Sequence, residues 1–266
     1  MEIELSNLSW PEVKERSKDN PVVVIPTGAT EQHGPHLPLK VDIATADYIA
    51  REVCRRNGML VTPPLNFGYS EMWHSYPGTI SFSQRTFMAA VGDIFASLIE
   101  GGFRKLFVLN GHNGNLPLLQ SIAHEVALTY EEKDIQIGIA TYIYVAREEC
   151  EKIGEYFRDG THANEAETSM SLALFPECVD MDKAKEVSEG YVLRKAVNYD
   201  SDIMIINNWS NSDQYNGVYG NPSLATPEKG KAYLEALIDK IADKLLKFDK
   251  GLYNPIGKDG IPRSFS

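Results

Sequence analysis

The chain has 266 residues, 43% hydrophobic and 24% charged, which suits an ordinary globular protein of one large α/β domain or two small ones. Its net charge of −11 argues against a nucleic acid or an anionic membrane as partner, since both need a basic footprint. Cys54, Cys150 and Cys178 are widely spaced without a CxxC pair, and the acidic start lacks a long apolar run; cytoplasm is the expected location, with neither a disulfide framework nor a thiolate zinc site.

Trp10-Pro11 opens a short helix to about Lys18, and Val22–Ile25 reads as a buried strand. The loop that follows carries Glu31, His33, His36 and Asp42, four potential metal ligands within a few turns of chain. Apolar residues Ile43, Ala46, Ile49, Ala50 and Val53 then recur at helical spacing, and Asn57-Gly58 stops that helix. A second strand is expected at Met59–Thr62, closed by Pro63-Pro64, and then a loop rich in Gly and aromatics from Asn66 to Ser81. Ser83 caps the next helix, which Gly101-Gly102 ends.

Leu106–Leu109 is a third buried strand leading straight into Asn110-Gly-His-Asn-Gly-Asn115, and Pro117 fits the first turn of a helix to about Glu132. Ile135–Tyr142 reads as a fourth strand, with a helical stretch from Val145. The segment from Gly160 to Ser169 opens a helix ending near Phe175-Pro176, and regularity fades from Asp180 to Thr226. That region, with Tyr191, Trp209 and Tyr215 among its aromatics, reads as a subunit contact, with a lid over the site as the sharper option. Thr226-Pro227 starts a last amphipathic helix to about Phe248, and the tail from 251 to 266 looks like surface coil.

Strands alternating with helices indicate an α/β fold: a single three-layer domain over 1–266, core about 20–248, with a mostly parallel sheet covered by helices on both faces. Ligands bind such sheets at the carboxyl ends of the strands, so the loops carrying Glu31–Asp42 and Asn110–Asn115 should open on one edge. His33, His36, His74, His112 and His162 all fall in loops or at a helix start, whereas His124 lies inside a helix and reads as structural. Glu31, His33, Asp42, His112 and Glu167 are too many ligands for one closed zinc site, and they suit two divalent ions bridged by Asp42. His162 is then the candidate catalytic residue, carrying the proton to the leaving group. There is no Gly-x-Ser-x-Gly elbow, and the 110–115 loop matches neither the P-loop nor the dinucleotide fingerprint.

The chain resembles the creatininase (creatinine amidohydrolase) family. The resemblance rests on Pro26–Leu39 with its Glu31-Gln-His-Gly34, on Val41-Asp42, Tyr76-Pro-Gly-Thr79, Asn110-Gly-His112 with Asn115, His162-Ala163, Glu167-Thr-Ser169, and Gly217–Thr226. It implies a binuclear site for Zn²⁺ and/or Mn²⁺, with Fe²⁺ as a further option, hydrolysis of a small molecule, and a homo-oligomer, often a hexamer. By position it makes Glu31, His33, Asp42, His112 and Glu167 metal ligands and His162 the proton carrier. Two departures bear on substrate: Gly114 replaces a glutamate near the metals of true creatininases, and Arg158 replaces the tryptophan four residues before the catalytic histidine. Creatinine itself is therefore not the expected substrate. Arg158, Tyr69, Trp73, His74 and Asn113 are the candidates for substrate contact. The expected activity is cleavage of a C–N bond in a cyclic amide or formamide, by water activated between the two metals. Carbon–carbon hydrolysis of an oxidised cyclitol ring is the runner-up, and a non-catalytic metal-containing ligand-binding protein the alternative from another class.

Overall fold

In the computed structural model the described residues are 2–154, 162–184, 197–200, 203–206 and 216–252, the two short middle stretches by backbone alone. In chain order the main elements are α1 (Trp10–Ser17), β1 (Val22–Thr27), α2 (Val41–Asn57), β2 (Leu60–Val61), α3 (Gln84–Glu100), β3 (Lys105–Asn110), α4 (Leu116–Thr129), β4 (Gln136–Thr141), α5 (Tyr142–Val145), α6 (Arg147–Cys150), α7 (Glu165–Leu174), α8 (Met181–Ala184), β5 (Val197–Asp200), β6 (Ile203–Ile206) and α9 (Pro227–Asp249). The sheet is parallel throughout and runs β2-β1-β3-β4.

Side-chain alternation along the strands divides the core in two. Val22 and Val24 of β1, with Phe107 and Leu109 of β3, pack into the layer formed by α2, α7 and α9. Val23 and Ile25, with Leu106 and Val108, face α3 and α4. Both central strands are thus apolar on both sides, which is why they read as continuous hydrophobic runs. The helix ends follow local chemistry. Ser83 Oγ accepts from Thr86 N at 3.2 Å, Thr226 Oγ1 accepts from Lys229 N at 3.2 Å, and Gly58 ends α2 at a φ of 68°.

Sequence and structure differ in two places. Tyr142 leaves the fourth strand and begins a helical turn instead. Within the stretch expected to be irregular, β5 and β6 form an antiparallel pair, each strand only four residues long and too short for a periodic signal. Arg158, Tyr191, Trp209, Tyr215 and the tail from 253 lie outside the described residues.

A close contact between helices lies at Gly230, where α9 crosses α7. A Cβ built there would lie 1.9 Å from the backbone oxygen of Ser169, so the helices approach through the missing side chain. Gly230→Ala should lower the unfolding free energy by about 1–3 kcal/mol through overpacking. That loss is net of the roughly 1 kcal/mol that alanine gains in helix propensity. Urea titration checks this, and an unchanged or raised midpoint would show that α9 slides freely on α7.

Candidate metal centre

The centre forms where β1 and β3 end side by side, with Thr27 and Asn110 in register. Beyond β1 the chain loops, closed by Glu31 N donating to Leu39 O at 3.0 Å, and both Glu31 and His33 are buried. His33 Nδ1 lies 3.1 Å from the Glu31 carbonyl oxygen and must donate to it, so Nε2 is left as the free ligand atom, 3.0 Å from Asp42 Oδ1. Asp42 occupies the first turn of α2, where unpaired backbone N–H groups favour a carboxylate. Its helix reaches the site because Gly111 has no side chain: a Cβ there would sit 2.3 Å from Asp42 O.

Beyond β3, the Asn110 side chain folds its own loop. Its Nδ2 donates to His112 O at 2.7 Å and to Thr141 Oγ1 at 3.0 Å, while its Oδ1 accepts from His112 N at 3.2 Å. Asn115 extends the clasp, donating to Gly28 O at 3.0 Å and accepting from Tyr69 N at 2.8 Å. His112 Nε2 donates to the Tyr69 carbonyl at 2.9 Å, which fixes the ring and turns Nδ1 inward. That nitrogen lies 3.2 Å from Glu31 Oε1 and 3.1 Å from Asp42 Oδ2. Glu167 comes from the first turn of α7, whose cap Asn164 accepts from Glu167 N at 3.1 Å. One of its carboxylate oxygens takes the N–H of Ala163 at 2.5 Å.

The side chains fall into ligand triads, Glu31–Asp42–His112 and His33–Asp42–Glu167, each with its donor atoms within 4.8 Å of one another. A third, Glu31–His33–His162, overlaps them. The donor set suits divalent cations of the zinc and manganese kind, being imidazole and carboxylate without sulfur. Glu31 Oε2 is buried without a hydrogen-bond partner among the described residues, as a ligand atom would be. Protonation behaviour points the same way. Burial opposes a charge on His33, yet Asp42 beside it raises its pKa to about 9. Burial likewise disfavours the His112 cation, and Glu31 and Asp42 push it well above the ordinary histidine value. Burial pushes Glu167 up to about 7, with neighbouring carboxylates adding to it. Burial would also raise Asp42, but the His33 and His112 imidazoles hold it well below the usual carboxylate range. These shifts reflect three buried carboxylates packed against imidazoles, and a divalent cation would compete with the protons there.

His162 sits at the edge of the set. Its backbone pairs with Tyr219 in both directions, at 2.9 and 2.7 Å, and its Nε2 donates to Gln32 O at 2.8 Å. Nδ1 then faces inward, 3.9 Å from Glu31 Oε1. The ring is sandwiched between His33, at a centroid distance of 4.4 Å, and Trp73, stacked at 4.5 Å and 20°. Burial and the neighbouring His33 hold it well below the ordinary histidine value, so it is neutral.

Other sequence candidates fall elsewhere. His74 and Asn113 are exposed. Tyr69 acts through its carbonyl, its hydroxyl accepting from Gln84 Nε2 at 3.1 Å. His36 is buried with Nε2 2.9 Å from Thr168 Oγ1, and His124 is exposed on α4. Trp73, named for substrate contact, packs on His162 and provides a buried aromatic wall that the loss of the family tryptophan at position 158 did not lead one to expect. The Tyr69 carbonyl had no signal in sequence, since any residue offers one.

The family profile described as creatinine amidohydrolase matches residues 6–245. The 3-dehydro-scyllo-inosose hydrolase of Thermotoga maritima is 30% identical, the alignment covering 90% of this chain and 81% of that one. The creatinine amidohydrolase of Pseudomonas putida is also 30% identical, over 67% of this chain and 74% of its own. A solved mutant creatininase in a zinc–zinc form superposes with a TM-score of 0.76 at 26% identity, covering 94% of this chain and 99% of that one. A manganese form gives a TM-score of 0.77 at 24% identity with the same coverage.

Proposed function

The chain belongs to the creatininase family, and from that premise we propose that it is a metal-dependent hydrolase cleaving a C–N bond, in a cyclic amide or formamide, of a small polar molecule. The observation that carries this reading is the pair of triads sharing Asp42 at the carboxyl edge of the sheet. Glu31, Asp42 and His112 would hold one divalent ion, and His33, Asp42 and Glu167 a second. When bound, such ions polarise a carbonyl oxygen and bring the pKa of water toward about 7.

The chain's own residues supply the rest. His162, neutral and with Nδ1 turned inward, takes a proton from the attacking water and gives it to the departing nitrogen. Trp73 stacks on that ring and is itself backed by Tyr219, and the two keep bulk water from the imidazole's far face. Gly114 supports a substrate other than creatinine: a Cβ there would lie 2.5 Å from His112 Nε2 and 2.5 Å from Tyr69 O, where the resemblance leads one to expect a glutamate.

Carbon–carbon hydrolysis of an oxidised cyclitol is the second reading, favoured by the inosose hydrolase aligning over 90% of the chain against 67% for the creatinine enzyme. The same centre serves both, because each reaction begins with water adding to a polarised carbonyl. The test is a substrate panel of cyclic amides, formamides and cyclic 1,3-diketones, offered to protein reloaded with Zn²⁺ or Mn²⁺ and read by mass spectrometry. Turnover of an amide class supports the first reading, and of a diketone the second. No turnover across the panel would leave a metal-containing binding protein.

A further inference from the structure

We propose, given His162 as the proton carrier, that Gln32 is a positioning residue for the reaction: its carboxamide clamps residues 217–219 against the loop after β1 and so keeps the His162 ring aimed at the metal centre. Gln32 stands between the candidate ligands Glu31 and His33 and is buried, yet it belongs to none of the triads. Its side chain turns instead to two backbone partners. Oε1 accepts from Gly34 N at 2.8 Å, and Nε2 donates to Gly217 O at 3.1 Å. One partner is a donor and the other an acceptor, so only one orientation of the amide satisfies both.

The two stretches meet without space between them. A Cβ on Gly217 would lie 1.9 Å from Gln32 Oε1, and a Cβ on Gly34 would lie 2.3 Å from Val218 Cγ2. Two residues beyond Gly217, Tyr219 exchanges both backbone hydrogen bonds with His162, at 2.7 and 2.9 Å. Gln32 therefore grips His162 twice. Its own carbonyl accepts from Nε2 at 2.8 Å, and its carboxamide holds the segment to which the His162 backbone is paired. The Gln32 backbone N–H is committed as well, to Thr79 Oγ1 at 3.1 Å, in the loop that brings Trp73 onto the imidazole. A carboxylate could not take this place. Glutamate keeps an acceptor for Gly34 N but has no hydrogen for Gly217 O, and it sets one oxygen against another in a buried contact. The ring it steadies is sensitive to placement, since a shift of about 1 Å at a reacting group can cost roughly 10²-fold in rate.

The test compares Gln32→Met, Gln32→Glu and Gly217→Ala with the wild type, as full chains reloaded with Zn²⁺, on whichever substrate of the panel is turned over. Gly217→Ala disturbs the same contact from the other side and leaves the ligand loop's own sequence untouched. Each variant should keep its metal and its KM while kcat falls by roughly 10–100-fold. Hydrogen exchange at the Tyr219 amide, which donates to His162 O, should speed up in all three. Gln32→Met combined with Gly217→Ala should be no worse than the more damaging single change, because both break one contact. Thermal melting confirms that each variant is folded. Wild-type kcat with unchanged Tyr219 exchange, or losses that add in the double variant, would overturn the proposal. So would metal lost in step with kcat, since Gln32 would then act through Glu31 and His33. A wild type that turns over nothing on the panel defeats the hydrolase reading separately, and Tyr219 exchange in the folded variants still decides whether the clamp exists.

Discussion

Asp42→Ala is expected to take bound divalent metal from about two ions per chain to near none, and turnover with it. Asp42 is the one side chain common to the Glu31–Asp42–His112 and His33–Asp42–Glu167 triads, and each of its oxygens serves a different side. Oδ1 lies 3.0 Å from His33 Nε2, and Oδ2 lies 3.1 Å from His112 Nδ1. Alanine leaves two protein donors on each side, fewer than the three that catalytic zinc sites keep. The affinity loss should exceed the ~10–100-fold that removing an outer-shell partner costs. Glu31→Gln is the control, because Glu31 is absent from the His33–Asp42–Glu167 triad and one ion should remain. Metal analysis of reloaded protein decides the matter, with circular dichroism to show that the variants are folded. Two ions retained in Asp42→Ala would mean that the triads do not share a ligand.

That these carboxylates and imidazoles would gather at one edge could be anticipated without coordinates, for a physical reason. Glu31, His33 and His112 lie in short loops directly after buried strands, and a parallel sheet delivers all such loops to one edge, so local sequence and a topology rule sufficed. Asp42 and Glu167 were accessible for a related reason: carboxylates in the first turn of a helix are placed by its exposed N–H groups. What stayed hidden depends on long-range paths. The Tyr69 carbonyl that fixes His112 arrives through a loop held by Asn115, 46 residues further along the chain. The same loop sets Trp73 on His162, a contact of side chains far apart in sequence. His74 and Asn113, named for substrate contact, are both exposed, a property set by the fold and not by residue type. The β5–β6 pair escaped notice because four-residue strands carry too little alternation to stand out.

His162→Ala should lower turnover by about 10²–10⁴-fold while both ions remain bound. The argument begins with its hydrogen bond. Nε2 is committed to Gln32 O, so the lone pair facing the centre is on Nδ1, and a neutral ring is what accepting a proton requires. Burial disfavours its cation, as does the charge of His33 while that ring is protonated, and divalent ions would take over the second effect when His33 binds one as a neutral ligand. A base works only when deprotonated, so a depressed pKa lets activity persist as pH falls through the ordinary histidine range near 6.5. The acid limb of kcat/KM should therefore lie below about 6.5 in the wild type. Metal content separates this role from its rivals, because His162 also belongs to the Glu31–His33–His162 triad. An ion lost together with the activity would make His162 a ligand. Turnover lost with metal intact makes it the proton carrier, whereas a variant unaffected in both would favour a protein that binds its small molecule without transforming it.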